Sequence, residues 1–161
     1  KKLNSISGFT LSTIYELRDT IWAMNKSEIT FEDLKVRISN FIEKANLSAH
    51  NTLFNFEVEK NLENEKAFTS VEGMNIYRII QEAVNNAIKY ANAKHINVAF
   101  LKSLDNMDIS VKDDGIGFDI DNTEFGNGLN NIQKRAKDLN ANVEFISSPT
   151  SGTEILVKKP I

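Results

Sequence analysis

The sequence contains no cysteine, only two widely separated histidines, and no apolar run that approaches the roughly 20 residues of a membrane span. The absence of cysteine excludes disulfides and thiolate metal sites, and the scarcity of histidine argues against a histidine-rich metal centre. The Lys-Lys start is not followed by the apolar core of a signal peptide. These absences fit a reducing compartment, and we expect a cytoplasmic domain without membrane contact.

An excess of positive charge is also missing. The chain has 19 lysines and arginines against 22 aspartates and glutamates, which leaves a formal net charge of −3. This balance provides no broad cationic surface for a phosphate backbone, so nucleic acid is not an expected partner. The length of 161 residues suits one compact domain with a short attached element.

Apolar residues at helical spacing predict two helices in the N-terminal part of the chain. Residues 9 to 25 form a seam suited to packing against another helix, made of Ile14, Leu17, Ile21 and Met24. Thr30 followed by Asp33 resembles a capping box with Asp in place of Glu. A second helix is therefore predicted from there to about residue 49.

The longest predicted helix spans about residues 71 to 91, and Thr69 with Glu72 forms a second capping box at its start. Its apolar arc consists of Ile76, Ile79, Ile80, Ala83, Val84, Ala87 and Ile88. The charged, Asn-rich segment from Glu59 to Phe68 is predicted to be a loop.

Alternating apolar residues predict five strands. The alternating sets are Phe54, Phe56 and Val58; Ile96, Val98 and Phe100; Met107, Ile109 and Val111; Val143 and Phe145; and Ile155 and Val157. The second and third sets predict one antiparallel hairpin and the last two sets another, with a helix at about 128 to 139 between them. Helices and strands without strict βαβ alternation favour an α+β two-layer sandwich.

Glu82, Asn86 and Lys89 share one face of the long predicted helix, at spacings of four and three residues. A carboxylate can accept a proton, an amide oxygen can ligate Mg²⁺ and an ammonium can neutralise phosphate, so this face could handle a triphosphate. An ordinary solvated face is the alternative. Adjacent Asn85 and Asn86 favour the functional interpretation, because each costs roughly half a kcal/mol against Ala within a helix.

A second cluster, formed by Asp113, Gly115 and Gly117, ends a predicted strand. The glycines let a ligand approach the main chain, while Asp113 can accept a hydrogen bond from the exocyclic amine of a nucleotide base. An acidic turn is the alternative. Further along, Gly126 and Gly128 lead into a predicted helix whose free amides could bind an anion, although a flexible loop end is the simpler explanation.

Two other motifs that combine glycine with acidic residues fail on spacing. A calcium loop starting at Asp119 would need Gly at 124 and Glu at 130, where the chain has Glu124 and Asn130. A Rossmann fingerprint would need a third glycine at the position of Ile120.

In this order and separation, the motifs from about residue 50 to 161 resemble the ATP-binding domain of the gyrase, Hsp90, histidine kinase and MutL superfamily. Residues 77–89 resemble the N-box of bacterial sensor histidine kinases, especially those paired with LuxR-type response regulators. Residues 113–118 resemble their first glycine box and residues 126–129 the second. Gly152-Thr153 resembles their terminal glycine-threonine element.

The resemblance implies a role for each polar residue of these motifs. Asp113 would accept the adenine amine, and Thr153 would support that contact through water. Asn86 would coordinate Mg²⁺ that bridges the phosphates, Lys89 would contact phosphate, and Glu82 would assist phosphoryl transfer.

The resemblance also implies backbone contacts to the nucleotide and a specific fold. The contact positions are Gly115, Gly117, Gly126, Gly128 and Leu129, with Gly126 and Gly128 ending a short nucleotide lid that begins near Phe118. The implied fold is a mixed, mostly antiparallel five-stranded sheet with about three helices on one face, preceded by an N-terminal helix.

Residues 1–28 resemble the end of a dimerisation and phosphoacceptor helix with its linker, and residues 29–161 resemble the catalytic domain. The phosphorylated histidine of this family is normally followed by an acidic residue. Here His50 precedes Asn51 and His95 begins a predicted strand, so the chain is expected to lack its own phosphoacceptor.

As a whole, the resemblance implies the ATP-binding catalytic domain of a two-component sensor histidine kinase. It would use Mg-ATP to phosphorylate a histidine on a dimerisation helix outside this chain, for onward transfer to the receiver domain of a response regulator. The full-length kinase is expected to be a homodimer, with an inner-membrane anchor left open. Two alternatives are an anti-sigma-type serine kinase and a non-catalytic interaction module that keeps the fold.

Overall fold

The computed structural model describes residues 17–18, 21–22, 24–49, 51–62 and 67–161. The helices are α1 (Phe31–Ser48), α2 (Ser70–Asn86) and α3 (Asn127–Asp138). The strands are β1 (Glu28–Ile29), β2 (Leu53–Val58), β3 (Phe68–Thr69), β4 (His95–Ser103), β5 (Asn106–Asp113), β6 (Asn142–Ser147) and β7 (Thr153–Pro160). None of the helices in the described ranges has the length and hydrophobicity needed to cross a bilayer.

Five strands form one mixed sheet in the order β2-β4-β5-β7-β6. The predicted hairpins β4–β5 and β6–β7 are confirmed, β5 pairs antiparallel with β7, and β2 runs parallel to β4. The α+β sandwich with a mostly antiparallel sheet is therefore confirmed. The remaining strands, β1 and β3, form a separate antiparallel pair.

One face of the sheet packs against the helices and forms the core. The residues of this five-stranded sheet that are at least 95% buried are Ile96, Val98, Phe100, Met107, Ile109, Val111, Ile155 and Val157. Helix α2 covers them with Ile76, Ile79, Ile80, Ala83 and Val84. Each Ile, Val, Met or Phe side chain among them contributes about 1.5–3 kcal/mol by leaving water, so the alternating pattern fixes which face of each strand points inward.

Both predicted capping boxes are present. Thr30 Oγ1 accepts from Asp33 N at 3.0 Å, and Thr69 Oγ1 accepts from Glu72 N at 3.2 Å, while each acidic side chain accepts from the main-chain N–H of its threonine. These bonds satisfy amides that a helix start leaves without partners. The capping box of Thr69 and Glu72 sets the first residue of α2, and therefore the position at which the other end of this helix meets the sheet.

Two predictions of local structure are wrong in part. The predicted helix 71–91 is α-helical only to Asn86, and a π-helical turn spans Ala87–Ala91, which leaves Ile88 39% exposed instead of inside the apolar arc. The predicted loop from Glu59 to Phe68 contains a 3₁₀ turn with fully buried Leu62, and it ends in β3. The π-helical turn and the burial of Leu62 depend on contacts with distant parts of the chain, which a short local pattern does not show.

The N-terminal predictions lie partly outside the described residues, as does His50. Helical residues are present at 17–18, 21–22 and 24, and Trp22 stacks on the guanidinium of Arg37 with 4.5 Å between its ring centroid and Cζ. Ile29 is completely buried. The division between residues 1–28 and 29–161 stays a prediction.

Candidate functional site

A cavity of about 600 Å³ lies between the end of α2, the π-helical turn, the ends of β5 and β7, and the start of α3. This volume is in the range of small-molecule sites. The predicted site residues that line it are Glu82, Asn86, Lys89, Asp113, Gly117, Gly126, Gly128, Leu129 and Thr153. Gly115 is the one predicted residue that does not line it. The sequence therefore identified a set of residues that the fold brings together.

Asp113 stands at the buried end of the cavity and is 7% exposed. It follows Met107, Ile109 and Val111 in the alternation of β5, so its side chain projects to the helix-covered face. Its Oδ1 accepts from Gly115 N at 2.9 Å, and Thr153 N–H is a second donor to the carboxylate. Burial raises the pKa of Asp113 above its ordinary value, and these donors oppose the rise.

Gly115 allows the segment that follows β5 to touch the π-helical turn. A Cβ at this position would collide with the carbonyl group of Ala91, and Ile116 N donates to that carbonyl at 2.8 Å. The glycine thus acts from behind the cavity wall, by letting two backbone segments meet.

Gly117 has a φ of 58°, and any side chain there would collide with the Ser148 carbonyl oxygen. Thr150 N also donates to Ile116 O at 2.7 Å, so the β6–β7 turn holds this segment in place. Both the positive φ and the close approach explain why glycine is required at 117.

The opposite end of the cavity is formed where α3 begins next to α2. A Cβ at Gly128 would collide with Glu82 Oε1 and would lie 3.1 Å from Asn86 Nδ2, so the glycine leaves room for these two side chains beside the start of α3. Gly126 is the N-cap of α3 and makes no side-chain cap. The first amides of α3 and the positive end of its dipole therefore suit an anion at this end.

Lys89 and Tyr90 are both exposed residues that line the rim of the cavity, and the π-helical turn carries them there. The π-helical turn changes the angle around the helix axis between Asn86 and Lys89 from that of an α-helix, but Lys89 still lines the cavity. π-Helical turns inside helices often occur at functional sites. Within the described ranges, no three His, Asp or Glu side chains group closely enough to hold a metal.

Several wall residues were not predicted as site residues. The exposed side chains of Tyr90 and Ile116, together with Phe118, give the cavity apolar walls. Ser147 stands behind it and bonds to the lid start and to Thr153. No sequence pattern indicates Ser147, because its hydrogen bonds to Phe118 and Thr153 form only in the folded chain.

His95 begins β4 as predicted, and its Nδ1 lies 2.7 Å from Asp114 Oδ2. Asp114 Oδ1 also accepts from the main-chain N–H groups of Lys94 and His95, at 2.7 and 2.8 Å. These hydrogen bonds from His95 and Lys94 lower the pKa of Asp114 to about 2. The contacts support a structural role for His95, as expected from the sequence.

A wider groove of about 1340 Å³ lies beside the cavity and is lined by α1, α2, α3 and Trp22. Glu82 lines both the groove and the cavity. A group bound in the groove can therefore approach the same carboxylate as a group bound in the cavity.

Residues 72–161 match the family described as histidine kinase-, DNA gyrase B-, and HSP90-like ATPase. The chain is 31% identical to an uncharacterized sensor-like histidine kinase of Chloroflexus aurantiacus, over 99% of this chain and 28% of that protein. It is 29% identical to the sensor protein VraS of Staphylococcus epidermidis, over 81% of this chain and 35% of that protein. The chain thus spans about a third or less of these relatives.

A solved structure has the same fold. It is the histidine kinase domain of a blue-light activated histidine kinase from Erythrobacter litoralis, with a TM-score of 0.69 and 16% identity. The similarity covers 84% of this chain and 64% of that one.

Proposed function

Because this chain belongs to the histidine kinase-, DNA gyrase B- and HSP90-like ATPase family, we propose that its cavity binds Mg-ATP and supports transfer of the γ-phosphoryl group to a histidine. The observation that carries the proposal is the arrangement of one cavity. A buried carboxylate stands at one end, and an amide, a second carboxylate and a helix N-terminus stand at the other. This polarity matches a nucleotide, which has a base at one end and phosphates at the other.

The base end suits adenine. Asp113 keeps acceptor capacity after the hydrogen bond from Gly115, and adenine presents an exocyclic amine that can donate to it. Guanine presents a carbonyl at the same position, which would set acceptor against acceptor. Tyr90 and Ile116 provide apolar surface for the ring faces.

The phosphate end suits a magnesium-bound triphosphate. Asn86 has an amide oxygen available as a ligand type for Mg²⁺, and this ion usually takes few protein ligands together with water and substrate phosphates. Bound Mg²⁺ would supply charge neutralisation. Lys89 and the first amides of α3 would contact the remaining phosphate oxygens.

In the proposed transfer, a histidine nitrogen from outside this chain attacks the γ-phosphorus, the bond to the β–γ bridging oxygen breaks, and ADP leaves. Glu82 orients that histidine and accepts its proton, because this carboxylate lines both the cavity and the wide groove. Holding the attacking nitrogen, the γ-phosphorus and the leaving oxygen in line would account for most of the rate enhancement.

The partners follow from the same proposal. The histidine would lie on dimerisation helices of the full-length kinase, and the receiver domain of a response regulator would take the phosphoryl group onward. Pairing with a LuxR-type regulator, homodimerisation, cytoplasmic placement and an inner-membrane anchor of the full-length protein stay predictions.

Calorimetric titration tests nucleotide binding. Mg-ATP should bind, EDTA should weaken the binding, and Asp113→Asn should weaken it by about 1.5–3 kcal/mol, the scale of a hydrogen bond to a charged group. Asp105→Asn, on the exposed turn between β4 and β5, is the matched control and should leave the affinity unchanged. Equal affinities of the Asp113→Asn variant and the wild type would contradict the assignment of Asp113.

A phosphotransfer experiment tests the reaction itself. The domain is mixed with Mg-ATP and a separately supplied helix that carries a histidine, and the product should be acid-labile phosphohistidine. Glu82→Gln should lower the transfer rate by about 10²- to 10⁴-fold, the contribution of a positioned acid or base. An acid-stable phosphoserine product on a serine-bearing protein would instead indicate the serine kinase, and ATP binding without any transfer would indicate a binding module.

A further inference from the structure

One serine hydroxyl joins three segments behind the base end of the cavity. Phe118 N donates to Ser147 Oγ at 2.9 Å, and Ser147 Oγ donates to Gly152 O at 2.9 Å. The hydroxyl oxygens of Ser147 and Thr153 are also 2.9 Å apart. Ser147 is therefore bonded to the start of the lid segment and to both residues of the Gly152-Thr153 element.

The three partners of Ser147 fix the direction of every proton. A serine hydroxyl has one proton to donate and two lone pairs that accept. Gly152 O can only accept, so the hydroxyl of Ser147 donates its hydrogen bond to this carbonyl. Phe118 N–H can only donate, so it occupies one lone pair of Ser147 Oγ. The bond to Thr153 must then use the second lone pair, which means that the Thr153 hydroxyl is the donor.

We propose that Ser147 is a specificity-determining residue, because it fixes the Thr153 hydroxyl as an acceptor toward the cavity. Thr153 has a single hydroxyl proton, which forms the hydrogen bond to Ser147 Oγ, so Thr153 Oγ1 has only lone pairs left for other partners. Asp113 and Thr153 are register partners on β5 and β7, and both line the cavity. Together they present only acceptors to a bound base or to a bridging water.

This inference rests on the proposed function, since it concerns which purine the cavity prefers. Adenine has an amine at ring position six, and hypoxanthine has a carbonyl there, so the two bases offer opposite partners to an edge made of acceptors. Inosine triphosphate lacks the extra amine of guanine, which makes it the cleaner probe. Without the Ser147 hydroxyl, the proton of Thr153 is free to turn toward the cavity and to donate to that carbonyl.

The test is the ratio of the dissociation constants of Mg-ITP and Mg-ATP, measured by calorimetry on the whole 161-residue domain. Ser147→Ala should lower this preference for ATP by about fivefold, the factor that corresponds to one net hydrogen bond. Ser148→Ala changes an exposed neighbour and should leave the ratio unchanged. Should Ser147→Ala fail to fold, Ser147→Cys keeps the side-chain shape with a weak donor and acceptor and gives the same readout.

A second background separates the proton effect from a change in the lid. Thr153→Val removes the hydroxyl whose direction is at issue, so Ser147→Ala should not alter the ratio in a Thr153→Val domain. The role of Ser147 would be overturned if Ser147→Ala left the ratio of the two dissociation constants unchanged in the domain with native Thr153. It would also be overturned if Ser147→Ala changed the ratio equally in the native and the Thr153→Val domains. Wild-type domain that does not bind Mg-ATP would overturn the proposed function itself, which keeps the two failures distinct.

Discussion

Two glycines at the start of α3 have different surroundings although both belong to the predicted second glycine box. A Cβ at Gly128 would collide with Glu82 Oε1, whereas a Cβ at Gly126 would meet no atom within 4 Å. The Glu82 carboxylate is the end of a flexible side chain, so the collision moves that carboxylate and leaves the backbone in place.

Gly128→Ala is therefore expected to slow phosphoryl transfer by at least about tenfold, a small part of what a positioned base contributes. Stability should not fall, because Ala is favoured over Gly in a helix by about 1 kcal/mol. Transfer rates and urea unfolding of the same variant would measure both effects. Gly126→Ala should slow transfer less, and an equal loss in both variants would argue against displacement of Glu82.

Single residues also show where sequence reasoning succeeds and where it stops. The alternation of β5 predicts Asp113 at a strand end, and the structure has it there. The glycines beside it were expected to let a ligand approach the main chain, whereas a Cβ at Gly115 or Gly117 would meet the carbonyl groups of Ala91 or Ser148. Ser147 could not be identified, since Phe118 lies 29 positions away and no periodicity links the two. Contacts of this kind depend on the finished fold.

At the scale of elements, a buried hydrogen bond joins α2 to α3. Asn75 is 7% exposed, and its Oδ1 accepts from Arg135 Nη1 at 3.1 Å. Burial and the nearby positive charge of Arg78 lower the pKa of Arg135, while the negative charges of Asp138 and Glu82 oppose the fall.

Asn75→Ala should lower the free energy of unfolding by about 1–3 kcal/mol, because it leaves a partly buried charge without this acceptor. Urea denaturation of the domain would measure the loss. Asn97→Ala, at an exposed position of β4, is the control and should change stability by no more than about 0.5 kcal/mol. A similar loss in both variants would mean that the Asn75–Arg135 bond contributes nothing specific.

The elements themselves were largely predictable from local pattern. Thr30 and Thr69 marked the starts of α1 and α2, because capping is a contact between near neighbours in sequence. The π-helical turn was missed because it ends where Ile116 N donates to Ala91 O, a contact made by the segment that follows β5. Alternation likewise identified β2 as a strand but did not show its parallel pairing with β4.

At the scale of the whole molecule, hydrogen bonds set the response of stability to acid. Among the residues that the structure describes, the carboxyl groups whose pKa is lowered are Asp33, Glu72, Asp114 and Asp119. Asp113 is shifted the opposite way by burial. A lowered pKa in the folded state gives stability above the ordinary pKa that is lost as the pH falls.

Hydrogen bonds from His95 and Lys94 lower the pKa of Asp114 from its ordinary 3.8 to about 2. Its contribution should be complete above about pH 4 and should fade as the pH falls toward about 2. Urea midpoints at about pH 5 and about pH 3 should therefore differ less in Asp114→Asn than in the wild type. Asp105→Asn, on an exposed turn, serves as the control, and equal differences in all three proteins would refute the contribution of Asp114.

The position of β7 has a consequence for synthesis of the protein on the ribosome. This strand follows β6 in sequence but lies between β5 and β6 in the sheet, and it carries Thr153 and Ile155 of the cavity wall. A nascent chain that stops short of residue 153 therefore has a β6 without its neighbour and a cavity without one wall. Nucleotide binding is expected only after β7 has left the ribosome and paired between β5 and β6. A bound nucleotide would therefore indicate that all five strands of the sheet have been synthesised and paired.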